Sequence, residues 1–310
     1  MQIESDAQFV AWFRSVAPYF HAFRGRTFVL GFGGEVAAQG KFPLLAHDIN
    51  LLHSAGIRLV LVHGSRPQID AQLEARKLRA RYKDGVRVTD PVALECVKEA
   101  VGVLRVEIEA LLSQGLPNSP MAGAAINTVS GNFITAQPYG VHGGVDFQYT
   151  GVVRKVDTAA IRACLDAGNI VIISNVGYSP TGEVFNLSIE DVAMATARAL
   201  AADKLIFLTD EPVLDDNGEL IPELSAQEAE HLLSHGKQLS ADTRLYLQHA
   251  TEAVRGGVRR ATLDADAKGR LTGTAQATVF GAPLDLGAKA TSGKSFTLKL
   301  STKGFKFTGK

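Results

Sequence analysis

The chain has 310 residues, 46% of them hydrophobic and 21% charged, which suits a globular protein with a sizeable core and excludes a disordered or fibrous one. Lys plus Arg and Asp plus Glu each number 32, so no global field draws the chain to nucleic acid or to an anionic membrane, and small neutral or zwitterionic ligands remain open as partners. The two cysteines, Cys96 and Cys164, stand far apart, which suggests neither a disulfide framework nor a cysteine metal site and fits a reducing cytoplasm.

Residues 8–23 place Phe9, Val10, Trp12, Phe13, Val16, Tyr19 and Phe20 at helical spacing, with Pro18 breaking or kinking the run. This predicts an amphipathic entry helix, residues 1–24, packed either on its own domain or on a neighbouring subunit. Its early acidic residues and interspersed Arg14, His21 and Arg24 do not read as a signal peptide. Nowhere do about 18 apolar residues follow one another, so no membrane-spanning helix is expected.

From Thr27 the pattern alternates between strand and helix. The apolar run Thr27 to Leu30 meets the glycine-rich turn Gly31-Phe32-Gly33-Gly34, and Ile57 to Val62 meets His63-Gly64-Ser65-Arg66-Pro67. Helices are predicted over 46–55, 91–112, 158–167 and 188–202, and further strands around 126–136, 170–174 and 204–209. The predicted class is therefore α/β, a three-layer sandwich with a mainly parallel central sheet whose ligands bind at the carboxyl ends of the strands. The main domain is placed at residues 25–261. Residues 262–310, rich in Gly, Thr and Lys, read as a flexible basic terminus or a small β appendage.

Two glycine turns after apolar strands let backbone approach a ligand and turn amide N–H groups toward an anion, although glycine also serves any sharp strand-to-helix corner. Neither turn has the spacing of a phosphate loop or of a dinucleotide fingerprint. Arg87, within Lys83 to Asp90, is suited to forking a carboxylate, or else to pairing at the surface with Asp84 or Asp90. Thr89 or Asp90 reads as a helix N-cap ahead of Pro91, and Ser188 as another, with Glu190 and Asp191 in a first turn that favours acids. The acceptor-rich stretch from Thr209-Asp210 through Asp215-Asp216-Asn217-Gly218 faces either a nucleotide or water. His231 and His235 have zinc-like i, i+4 spacing but no third ligand, so they read as a solvated face and no metal is expected.

Taken in order, Phe28 to Gly34, Leu59 to Asp70, Gly85 to Asp90, Ile126 to Pro138, Phe185 to Ala193 and Gly256 to Arg260 resemble the landmarks of the amino-acid-kinase family. Within it they are most similar to the N-terminal domain of bacterial N-acetylglutamate synthases. The strings Leu-Leu-His-Ser-Ala-Gly-Ile-Arg-Leu-Val, Arg-Pro-Gln-Ile-Asp, Val-Arg-Val-Thr-Asp and Val-Ser-Gly-Asn-Phe-Ile-Thr-Ala-Gln-Pro are the specific ones. The resemblance covers roughly residues 7–261.

The resemblance implies an amino-acid or N-acetylglutamate-like ligand on Gly33, Gly34, Gly64, Ser65, Arg66, Arg87 and Asn186. It also implies a vestigial nucleotide region at Gly31, Glu190, Thr209, Asp210 and Arg244. Where the family's kinases carry a lysine that holds the transferring phosphoryl group, this chain has Gly31; their Gly-Gly-Gly-Pro turn is Gly64-Ser65-Arg66-Pro67; their Asn-x-Asn-x-Asp is Asn186 to Glu190; and a later lysine falls at Arg244. Losing positive groups around a phosphoryl transition state costs orders of magnitude in rate, so ATP and magnesium are not expected cofactors.

In the resembled synthases this domain regulates and assembles, and a separate domain joins acetyl-CoA to glutamate for arginine biosynthesis. About 50 residues follow Arg260, too few for that second domain, so acetyl-CoA is expected only through a missing domain. Arg270 to Ala275 fits a loose coenzyme A pyrophosphate pattern without its surrounding fold. The expected partners are arginine, glutamate or N-acetylglutamate and further copies of the chain in a homo-oligomer. The alternatives are an active N-acetylglutamate kinase and a ligand-free assembly protein.

Overall fold

A computed structural model describes residues 10, 14, 17–18, 20–115, 117–236, 239–265, 276–280, 296–299 and 306–309. Their centre is an eight-stranded sheet. Its strands run, from one edge to the other, Glu223–Ser225, Gln276–Phe280, Arg260–Ala265, Lys204–Thr209, Thr27–Phe32, Arg58–His63, Ile170–Ser174 and Thr128–Ser130. Neighbours are parallel except where Gln276–Phe280 meets Arg260–Ala265. The sheet thus continues past residue 261, through the rest of Arg260–Ala265 and one further strand, Gln276–Phe280, while among the described residues Phe296–Lys299 and Lys306–Gly309 pair with each other.

The strand period divides the core in two. Val29, Val60, Val62, Val171, Ile173, Leu205 and Phe207 point to one face, where the helices Thr158–Asp166, Ile189–Leu200, Ala226–His235 and Ala241–Arg255 cover them. Phe28, Leu30, Phe32, Leu59, Leu61, Ile170 and Ile172 alternate with these toward the other face, under Phe42–Ser54 and Pro91–Leu112. Successive side chains of a strand point to opposite faces, so a strand apolar at every position must be covered on both. Each such side chain contributes about 1.5–3 kcal/mol by leaving water. The architecture is the predicted α/β three-layer sandwich.

The predicted N-caps fall into place. Asp90 accepts from the Ala93 N–H at 2.8 Å with Pro91 at the first helical position, and Ser188 accepts from the Asp191 N–H at 3.1 Å. A second, four-stranded sheet lies beyond the carboxyl ends of the central one, in the order Val184–Asn186, Val176–Tyr178, Ile134–Pro138, Gly151–Val156. A hairpin, Arg81–Lys83 with Val86–Val88, stands beside it.

Of the entry helix, Val10, Arg14, Ala17, Pro18 and residues 20–23 are helical. Helical residues thus stand on both sides of Pro18, which has no N–H to give to the helical ladder. The chain leaves the helix through Phe23, which meets Phe28 edge to face at 5.5 Å and so docks the helix end on its own domain. Phe9, Trp12, Phe13, Val16 and Tyr19, on which the intersubunit alternative was placed, lie outside the described residues, as do residues 270–275 of the coenzyme A-like string.

Candidate ligand-binding site

Parallel strands end on a common edge, and the residues just after each strand collect there. Gly33, Gly64, Asn175 and Asp210, each the first residue beyond one of four neighbouring strands, all line one cavity of about 590 Å³. The helices Arg66–Ala75 and Ile189–Leu200 begin at the same cavity. Gly64 is required by proximity, since a Cβ there would meet Ile189 Cγ2 at 2.9 Å. Ser65 occupies the N-cap of Arg66–Ala75 without capping it. Its hydroxyl instead donates to Asn175 Oδ1 at 2.8 Å, which leaves the first-turn amides of that helix without a side-chain acceptor.

The hairpin sets one end of the cavity. Asp84 and Gly85 both have positive φ, 52° and 79°, as the two central residues of a type I′ turn do. That register places Tyr82 directly opposite Arg87, with the guanidinium over the ring at 4.7 Å. Arg87 is only 7% exposed, and its Nη2 donates to Asp70 Oδ1 at 2.7 Å. The expected surface partners are otherwise engaged, Asp84 with Lys83 at 3.3 Å and Asp90 at its cap. Arg87 Nη1 is buried with no hydrogen-bond partner, an expensive state for a charged group unless something else accepts from it.

Behind Arg87 runs a chain of buried polar side chains. Asn175 Nδ2 donates to Asn186 Oδ1 at 3.2 Å, and Asn186 Nδ2 donates to Thr89 Oγ1 at 3.1 Å. The hydroxyls of Thr89 and Thr150 lie 2.9 Å apart, and Thr150 Oγ1 lies 2.6 Å from the Arg87 carbonyl. A carbonyl only accepts and a hydroxyl has a single proton. Thr150 must therefore donate to Arg87, and Thr89 donates to Thr150.

The other end of the cavity is acidic. Glu35, Glu190, Asp210 and Asp242 line it, with Arg66 and Tyr246 among them. Arg66 pairs with Asp242 at 3.5 Å. Burial, then the charges of Asp210 and Asp242, raise the carboxyl of Glu35 above its ordinary range, against its own backbone N–H and Arg66. Tyr246 is pushed well above the usual phenol range, first by burial and then by Glu190, Glu35, Asp242 and Asp210, so it stays a neutral hydroxyl.

Of the residues predicted at the site, Gly33, Gly34, Gly64, Ser65, Arg66, Arg87, Asn186, Glu190, Thr209 and Asp210 all line this cavity. Gly31 and Arg244 do not. Gly31 lies inside its strand, where a Cβ would meet Phe207 Cδ1 at 2.8 Å, so the ring of the neighbouring strand fills the space of a side chain. Arg244 turns to the carbonyls of Leu233 and Gly236, capping the helix Ala226–His235. The sequence reading missed Glu35, Asp70, Tyr82, Asp242 and Tyr246. Only the Asp84-Gly85 pair, a hairpin signal flanked by Tyr82 and Arg87, could have found any of them.

His63, at the end of Arg58–His63, faces no solvent; its Nε2 lies 2.8 Å from Ser174 Oγ and its Nδ1 3.4 Å from the Gly64 carbonyl. Burial lowers its pKa to about 4, with Gly64 pulling up and Arg105 pushing down. The unfolded chain, with an ordinary imidazole near 6.5, binds the proton more tightly than the folded one. The neutral His63 therefore contributes fully above pH 6.5, and that contribution is lost as pH falls from 6.5 toward 4, roughly 3 kcal/mol in all. Urea unfolding at pH 7.5 and 4.5 should show the loss, and His63→Gln should flatten it; an unchanged slope in that variant would assign the loss to other groups.

The sequence pattern of the amino acid kinase family matches residues 26–263. Over 257 residues the chain is 57% identical to an amino-acid acetyltransferase of Ralstonia nicotianae, covering 83% of this chain and 57% of that protein. To an amino-acid acetyltransferase of Pseudomonas fluorescens it is 48% identical over 254 residues, 82% of this chain and 58% of that one. The N-acetylglutamate synthase from Neisseria gonorrhoeae, solved with coenzyme A and L-arginine, superimposes with a TM-score of 0.81 at 37% identity, covering 94% of this chain and 67% of that one. The carbamate kinase from Giardia lamblia bound to AMP-PNP matches at a TM-score of 0.60 and 17% identity, a likeness of fold alone. The chain spans about 57% of the length of the curated relatives it matches.

Proposed function

The chain belongs to the amino acid kinase family, and from that premise we propose that it is the regulatory, ligand-binding domain of an N-acetylglutamate synthase, acting in arginine biosynthesis without phosphorylating its ligand. The observation that carries this reading is the contrast between the two ends of one cavity. At the hairpin end Arg87 Nη1 is buried and unpaired, in a position to receive the carboxylate of an amino acid such as arginine, glutamate or N-acetylglutamate. At the other end the wall is acidic, and Gly31, where the resembled kinases carry their phosphate-binding lysine, lies inside its strand off the cavity, closed by Phe207. The joining of acetyl-CoA to glutamate, which the relatives' names support, is placed by this reading in the part of those proteins that the chain does not span. Its setting is the cytoplasm, in keeping with the finding that no described helix is long and apolar enough to cross a membrane.

A thermal-shift screen tests the reading. At 100 times its dissociation constant a ligand adds about 2.7 kcal/mol, so at least one of arginine, glutamate and N-acetylglutamate should raise the melting temperature, and MgATP should not. No shift with any of the three would favour a ligand-free assembly protein.

Assembly is the second part of the proposal. Val103 and Val106, one turn apart on the helix Pro91–Leu112, are each 57% exposed, an apolar pair suited to a partner copy, and the sequence of residues 9–20 is rich in large aromatics. Light scattering should report a homo-oligomer for the full chain and a smaller one after deletion of residues 1–24. A full-length monomer would remove the proposal, and an undiminished oligomer would remove the helix as its cause.

A further inference from the structure

At the edge of the sheet opposite the cavity, where the parallel strands begin, one amine is held without a counter-ion. Lys204 opens the strand Lys204–Thr209, in register between Phe28 and Arg260 on the two neighbouring strands. Paired residues of parallel strands point to one face, and on that face Phe23 packs beside Phe28. The ammonium stands 5.0 Å from the centre of the Phe23 ring and 5.4 Å from that of Phe28. Ring faces attract a cation weakly and give its three N–H donors no oxygen acceptor. Among the described residues Lys204 makes no hydrogen bond and no ion pair.

The charges around it do not supply a partner. Arg260 is its direct neighbour in the sheet, and Asp264 lies on the same face, four residues further along that strand. Asp203, next in the chain, is engaged elsewhere: it accepts from the Thr27 N–H at 3.1 Å and pairs with Arg26 and Arg259, each at 3.6 Å. Burial, then the charge of Arg260, lowers the pKa of Lys204 to about 8 against a smaller pull from Asp264. A lysine desolvated beside a second cation is a nucleophile near neutral pH. Roughly a tenth of it carries a free lone pair at pH 7, against less than about a thousandth of an ordinary lysine. The side chain is part-exposed and not sealed in the core.

We propose that Lys204 is an acylation site, whose neutral amine takes the acyl group of a short-chain acyl thioester. The nitrogen lone pair attacks the thioester carbonyl carbon, the C–S bond breaks as the N–C bond forms, and the amine proton leaves with the sulfur as a thiol. Nothing is oxidised or reduced. The surroundings favour an acyl donor over other electrophiles, because the amide product is uncharged and so removes an unpaired, desolvated cation from beside Arg260. A short apolar acyl chain also finds the rings of Phe23 and Phe28 to rest on. This site is independent of the cavity and of the function assigned to it.

The test incubates the full chain with acetyl-CoA and follows each lysine by peptide mass spectrometry. At pH 7 Lys204 should be acetylated at least about tenfold faster than the exposed Lys77 and Lys155. Its rate should level off above about pH 8, while theirs go on rising toward about pH 10. Unfolding the chain in urea should erase the preference, because the sequence around Lys204 does not create it. Equal rates at the three lysines, a Lys204 rate that climbs in parallel with the others, or a preference that survives unfolding overturns the site. Cyanate, a much smaller electrophile, checks access to the amine. A Lys204 that is fast toward cyanate and slow toward acetyl-CoA overturns the assignment to thioesters.

Discussion

Coupled ADP release from the full chain with N-acetylglutamate and MgATP is expected to stay at background, at least three orders of magnitude below the usual enzyme range of about 1–1000 per second. The phosphoryl group in flight is stabilised almost wholly by positive groups around its oxygens. Here the lysine position is Gly31, a Cβ at that point would strike Phe207 at 2.8 Å, and Arg244 is committed to the Leu233 and Gly236 carbonyls. Among the described residues, the remaining cation lining that end, Arg66, is paired with Asp242. Gly31→Lys should not rescue turnover, because the new side chain has first to displace a packed ring. A turnover inside the normal range would return the chain to the working kinases of its family.

Arg87→Ala should weaken binding of the amino-acid ligand by about 2–5 kcal/mol, as the loss of one partner from a desolvated charge pair does. Folding should be affected as well, since the guanidinium lies between the Tyr82 ring and Asp70 at 7% exposure. Asp70 is 42% exposed and can be rehydrated, so the cost should be about 1–2 kcal/mol and not the 3–5 of a fully buried broken pair. Titration and a urea melt of the variant measure the two effects separately; unchanged affinity would leave Arg87 a purely structural residue.

The layers of this fold could be read from its sequence because the sheet is parallel and covered on both faces. Val60 and Leu61 are both buried although they point to opposite sides, and a run without polar alternation admits few other interpretations. Caps were legible for a similar reason, since Asp90 before Pro91 and Ser188 before an apolar run act through bonds to nearby backbone. The site was legible only in part. Arg87 stood out as a lone cation between β-formers, but its partner Asp70 lies on the helix Arg66–Ala75, and no local pattern joins the two. Glu190 read locally as a helix-end acid, and only the family resemblance placed it in a ligand region; no local pattern shows that this helix end opens on a cavity. Arg244 shows the converse, since a position taken from a family pattern carries no information about a side chain that has found carbonyls of its own.

The run of donors from Ser65 through Asn175, Asn186, Thr89 and Thr150 to the Arg87 carbonyl has a single direction. Turning either amide over would set donor against donor or acceptor against acceptor, so the two asparagines have one permitted orientation each. The floor of the cavity is consequently preorganised. A ligand arriving there meets dipoles that are already aimed, and the conformational entropy that binding sites commonly surrender on closing has been given up here in folding.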